Sequence, residues 1–230
     1  MDSARNTTND WLEGPLGACV LREEAALARL VLDDVFGFEL LQVGAWGPAR
    51  HLLDGARAQH TTVVAAEMGT GVTLCAPLAL LPFASDAIDA VLLPHTLELV
   101  EDPHAVLREA ERVLCAEGCL MICGFNPFSG WGARQLFARY LRQPAFPPQM
   151  RRMLSERRLR DWVALLGFDV DSVHGYLGSL PLSRAATAPR APLMAGAYWL
   201  KARKRVQTLT QVRPRRRARP RVLVGAVEPT

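Results

Sequence analysis

The chain has 230 residues, half of them hydrophobic, and no apolar run of about eighteen residues, so no membrane-spanning helix is expected. Five cysteines without a paired framework fit a reducing compartment, and the opening "MDSARNTTNDW" lacks a secretory leader, so the expectation is a cytoplasmic protein. The net charge of +4 is unevenly placed: residues 1–200 carry −5 and residues 201–230 carry +9. The basicity therefore belongs to a C-terminal tail.

Residues 1–36 read as an N-terminal helical cover, because Leu16, Cys19, Val20, Leu27, Leu30 and Val31 recur at helical spacing. "FELLQV" follows as a buried strand. Pro48 then opens a predicted helix over "ARHLLDGARAQ", and "TTVVAA" is a second strand. A short strand is expected around Val72–Cys75, and "IDAVLLP" is a continuous apolar strand. Asp102 caps a helix with Pro103 in its first turn, a stripe of Val106, Leu107, Ala110, Val113 and Leu114, and an end at Gly118. "CLMICGF" is the next strand, and residues 126–154 form an irregular, lid-like insertion. Ser155 caps a last helix ending at Gly167, followed by "FDVDSVHGYL" and "GAYWLKARKRV" as antiparallel strands. Apolar strands separated by helices imply a parallel sheet covered on both faces. One domain is expected over residues 1–206, with 207–230 as a basic, disordered tail.

In such a sheet ligands sit beyond the carboxyl ends of the strands. The first strand–turn–helix, "ELLQVGAWGPAR", is the default seat, but a dinucleotide fingerprint starting at Gly44 fails at Trp46 and Ala49. That argues against a nicotinamide or flavin enzyme. Cys115, Cys119 and Cys123 are no metal motif, since Cys119 and Cys123 lie roughly 13 Å apart on one strand. No metal site is expected.

The stretch "ALLPFASDAIDAVLLPHTLELVEDPHAVLREAERVLCAEGCLMI" carries an ordered series of pieces. They are Leu81-Pro82-Phe83, Asp89 to Leu93, Leu97 to Pro103, Leu107 to Gly118 and Cys119 to Cys123. In that order they resemble the central region of class I S-adenosylmethionine-dependent methyltransferases of the type 11 family, as a small bacterial member with a degenerate glycine loop. The resemblance implies a Rossmann-like α/β fold, with a mostly parallel seven-stranded sheet, helices on both faces and an antiparallel last strand. It also implies S-adenosyl-L-methionine as methyl donor and a small-molecule acceptor.

The resemblance also assigns site residues. The family's first loop runs acid-x-Gly-x-Gly-x-Gly, and in register this chain offers Gln42, Gly44, Trp46 and Pro48, with Gly47 out of register. Gly44 would let the backbone approach the cofactor's methionine end. Glu67 takes the ribose position, Leu78 and Ala79 the adenine contacts, and Pro94 and His95 border the methyl group. His95 is the candidate general base. Asn126-Pro127 resembles the pair some amino-methylating enzymes use to grip the target nitrogen, and the aromatics Phe128, Trp131 and Phe137 read as a lid over the substrate pocket. The alternative is a non-catalytic binding or interaction protein of the same fold, favoured by Gln42, Trp46, Pro48 and by Pro77 at the adenine position. No membrane partner is expected, and nucleic acid at most weakly through the tail.

Overall fold

The computed structural model describes residues 10–48, 50–141, 147, 149–178 and 195–205. The tail beyond residue 206 lies outside them. Seven strands form one sheet in the order β3-β2-β1-β4-β5-β7-β6. They are β1 (Glu39–Val43), β2 (His60–Ala65), β3 (Leu74–Cys75), β4 (Ile88–Pro94), β5 (Leu114–Phe125), β6 (Phe168–Tyr176) and β7 (Ala197–Lys204). β3, β2, β1, β4 and β5 run parallel, while β7 lies antiparallel between β5 and β6. This is the mostly parallel sheet with an antiparallel end that the resemblance implied.

The sheet is buried on both faces because helices cover both. Helix α1 (Pro15–Leu32) lays Val20, Leu27 and Val31 on one face, against Leu40, Leu92 and Trp199. A one-turn helix, α2 (Thr96–Leu99), leaves the end of β4. Helices α3 (Pro103–Val113) and α5 (Glu156–Leu165) cover the other face, where Leu107, Val113, Leu159 and Val163 meet Leu41 and Val91. The caps follow the sequence. Asp102 accepts a hydrogen bond from the Ala105 amide at 3.0 Å, and Ser155 accepts one from the Arg158 amide at 3.3 Å.

Three local expectations are corrected. Among the described residues no helix directly follows Pro48, and the segment closes by tight turns: His51 to Pro48, Leu53 to Arg50 and Ala56 to Leu53. Arg50 at φ 62° interrupts helical backbone there, and Leu52 and Leu53 alone give the segment too narrow an apolar face. Helix α3 ends at Val113 rather than Gly118, because residues 115–118 bulge out opposite Asp89, between the pairs Ile88–Leu114 and Ala90–Cys119. Within 126–154 a regular helix, α4 (Gly130–Tyr140), stands where an irregular insertion was expected.

Candidate functional site at the ends of β1 and β4

The carboxyl ends of β1 and β4 meet beneath α1. Val43 ends β1, and Gly44 turns away at φ 100°, a conformation in which a side chain is strained. Its missing Cβ leaves room for Thr96, whose hydroxyl donates to the Val43 carbonyl at 2.5 Å; a Cβ on Gly44 would overlap that hydroxyl. Gly44 is thus held against the protein itself. Gln42, buried on the α1 face, donates from Nε2 to the Gly44 carbonyl at 3.0 Å. Its Oε1 is buried with no hydrogen-bond partner among the described residues.

Trp46 points inward and is 2 % exposed. Its indole Nε1 donates to Glu24 Oε2 of α1 at 2.7 Å, and its ring lies 4.4 Å from the His95 ring. His95 is fully buried, in left-handed backbone at φ 53°. Its Nδ1 lies 2.6 Å from Glu98 Oε2 and its Nε2 2.7 Å from Glu24 Oε1. Tyr176 Oη, donating to Glu24 Oε1 at 2.9 Å, lies 3.2 Å from the same Nε2. Glu98 Oε1 accepts from the Phe125 amide at 2.9 Å, and the Phe125 ring lies tilted against His95 at 4.3 Å.

Every polar atom in this cluster has a partner, as burial demands. Burial alone would push the imidazole pKa down, but Glu24 and Glu98 on its two nitrogens outweigh that and raise it to about 9. Burial raises the Glu98 carboxyl despite the opposing pull of His95, and it pushes the Tyr176 hydroxyl well up. The two carboxylates thus favour the charged form of His95, and the rings of Trp46 and Phe125 lie tilted against it at 4.4 and 4.3 Å, close enough for cation–π attraction. A general base needs a free nitrogen facing a substrate. His95 has both nitrogens engaged and no exposure, so its expected role as base is corrected to that of the cluster's central cation.

The other predicted residues are placed as follows. Gln42, Gly44, Trp46, Pro94 and His95 converge at the β1–β4 end. Gly47, at φ 70°, lies on the rim of a separate cleft of about 490 Å3, lined by Leu12, Glu13, Leu21, Gly47, Pro48 and Thr70. Glu67 lies two residues past β2, half-buried. Leu78 packs into the core on the α3 side, and Ala79 is exposed. Cys119 and Cys123 are buried core residues, the Cys119 thiol pushed up to about 11 by burial. Among the described residues no group of acids, histidines and cysteines could hold a metal ion.

Sequence reasoning missed Glu24 and Tyr176. The signal for Glu24 was its position, since it shares a helical stripe with Val20, Leu27 and Val31. A carboxylate on an apolar stripe needs a partner at the core. Nothing along the chain points from Tyr176 to residue 24.

The seat can be tested against the cofactor the resemblance implies. The methionine half would lie beside Gly44 and the end of β4, where Trp46, His95 and Glu24 stand in van der Waals and hydrogen-bond contact. The residues present do not fit that half of S-adenosylmethionine. The cleft at Gly47, Pro48 and Thr70 is open, on the side of β2 where an adenosyl half would extend.

Comparison with known proteins agrees with the fold. Residues 47–122 match the family described as "Methyltransferase domain", methyltransferase type 11. The uncharacterized protein YafS of Escherichia coli K12 is 40% identical over 136 residues, covering 59% of this chain and 55% of YafS. The chain spans about half the length of the curated relatives it matches. A SAM-dependent methyltransferase of Thermotoga maritima, described as a possible histamine N-methyltransferase, superimposes with a TM-score of 0.58 at 19% identity. That match covers 83% of this chain and 91% of the other. A SAM-dependent methyltransferase of Archaeoglobus fulgidus gives 0.58 at 15%, covering 79% and 92%. Likeness at such identity shows the fold. Residues 47–122 thus match the methyltransferase domain family, and the chain has the fold of S-adenosylmethionine-dependent methyltransferases.

Proposed function

We propose that this chain is a methyltransferase-family protein whose methionine seat is closed by Trp46, and that it serves as a binding protein rather than transferring methyl groups through that seat. The observation that carries this reading is the Trp46–Glu24–His95–Glu98 cluster. Two residues past Gly44, the tryptophan is bonded to Glu24 at 2.7 Å, and its ring lies tilted against His95 at 4.4 Å. A buried, fully bonded cluster of this kind is costly to open, because each group it releases must find water or a new partner. Gln42, neutral where the family has an acid, supports the same reading, since it cannot hold the cofactor's ammonium by charge.

A second reading has its own support. Gln42 Oε1 is a buried acceptor without a partner among the described residues, beside the seat, and the open cleft at Gly47, Pro48 and Thr70 adjoins the turn. These features suit S-adenosylmethionine-dependent methylation of a small molecule, with Gln42, Gly47 and Glu67 toward the cofactor, if Trp46 withdraws. Thermal shift with S-adenosylhomocysteine separates the two. The first reading expects no shift for the parent chain and a shift for the Gln42→Asp, Trp46→Gly double variant, in which the family loop is rebuilt. A clear shift of the parent itself would replace the first reading with the second, whether or not the double variant folds.

A further inference from the structure

We propose that the outer face of α4 docks on an anionic lipid bilayer. Helix α4 is built inside out. Trp131 and Gln135 face the core, with the Trp131 indole donating to the Gly178 carbonyl at 3.0 Å. Leu136, Phe137, Tyr140 and Leu141 face solvent at helical spacing, and the exposures of Leu136 and Tyr140 are 70% and 84%. Phe128, 79% exposed, extends this stripe at the N-terminal end of the helix. Apolar exposure of this extent on one helix face marks an interaction surface rather than scattered surface residues.

Charge identifies the occupant. The stripe borders a cavity of about 460 Å3 shared by Phe128, Leu136, Arg151 and Arg152. Phe128 also borders a second cavity, where Arg157 and Arg158 stand with Glu156 and Asp161. Arginines therefore flank the apolar stripe, while the nearby acids Glu101 and Glu156 are engaged with Arg151 and Arg160. A second copy docking symmetrically would bring arginine cluster against arginine cluster. An anionic bilayer instead takes the apolar stripe at its acyl boundary and the guanidinium groups at its phosphates. This is peripheral docking. Among the described residues no helix is long and apolar enough to cross a membrane. The sequence implied no membrane partner because it holds no apolar run of about eighteen residues, a test that a peripheral face does not meet.

Co-sedimentation of the full chain with phosphatidylcholine vesicles, with and without a third of phosphatidylglycerol, tests this. Binding is expected to the anionic vesicles alone and to be reversed by high salt. Leu136→Ser with Phe137→Ser should weaken it about tenfold, and Arg151→Gln with Arg157→Gln by a similar factor. All four side chains are exposed or line an open cavity, so circular dichroism melting of both variants should match the parent. Equal sedimentation of parent and variants, or none with anionic vesicles, would overturn the proposal. So would a dimer in light scattering that the Leu136→Ser, Phe137→Ser variant abolishes, which would assign the stripe to a second copy.

Discussion

His95 carries the electrostatics of the β1–β4 end. Its pKa rises from about 6.5 unfolded to about 9 folded. The stability this contributes is complete below the unfolded value and is lost as pH rises through about 9. Urea midpoints should therefore fall between pH 6.5 and 9 in the parent and fall less in His95→Gln. That variant should also lose roughly 3–5 kcal/mol near neutrality, because it leaves Glu24 and Glu98 buried without their cation. A variant as stable as the parent, or with the same pH slope, would show that His95 is neutral in the fold. Gly44→Val addresses a neighbouring point. Because Gly44 packs on Thr96 at positive φ, the substitution should destabilise the fold by at least about 1–3 kcal/mol, read from the denaturant midpoint. An unchanged midpoint would mean that Thr96 yields freely. At this scale the sequence revealed that Gln42, Trp46 and Pro48 depart from the family loop. It could not reveal that Trp46 turns inward, since that depends on Glu24 arriving from a helix twenty-two residues earlier.

At the scale of elements, the family motif has a physical explanation. Glu109 on α3 accepts from the Leu81 amide at 2.9 Å, while Arg112 donates to the Leu81 and Phe83 carbonyls at 3.0 Å each. The two side chains also pair with each other at 2.9 Å. The "E--RV" of the helix thus clamps the "LPF" turn, which explains why the two pieces occur together. Arg112→Met should strand two carbonyls and cost roughly 1–3 kcal/mol. On a domain of this size that is a drop of at least about 2 °C in melting temperature. No drop would mean water replaces the guanidinium. Elements with an apolar stripe facing the core, such as α1, α3 and α5, were legible along the chain. Helix α4 was not, because glycines at 130 and 132 and the surrounding prolines hid its period. Gly132 is needed there, since a Cβ would strike the Pro127 backbone. The turns at 48–56 failed in the opposite direction, since Pro48 signalled a helix that Arg50 interrupts.

For the whole molecule, the mostly parallel seven-stranded sheet and its antiparallel last strand were implied by the resemblance, because alternating strands and helices leave few ways to cover both faces. The closure of the seat was not implied, because it is a contact among α1, the β1 turn, the β4 end and β6, and four distant segments leave no local pattern. Isothermal titration calorimetry of S-adenosylhomocysteine into the parent chain tests that closure most directly. Only heat of dilution is expected up to millimolar ligand, because Trp46, Glu24 and His95 occupy the place of the methionine half. A saturable isotherm with a micromolar dissociation constant would contradict the closure.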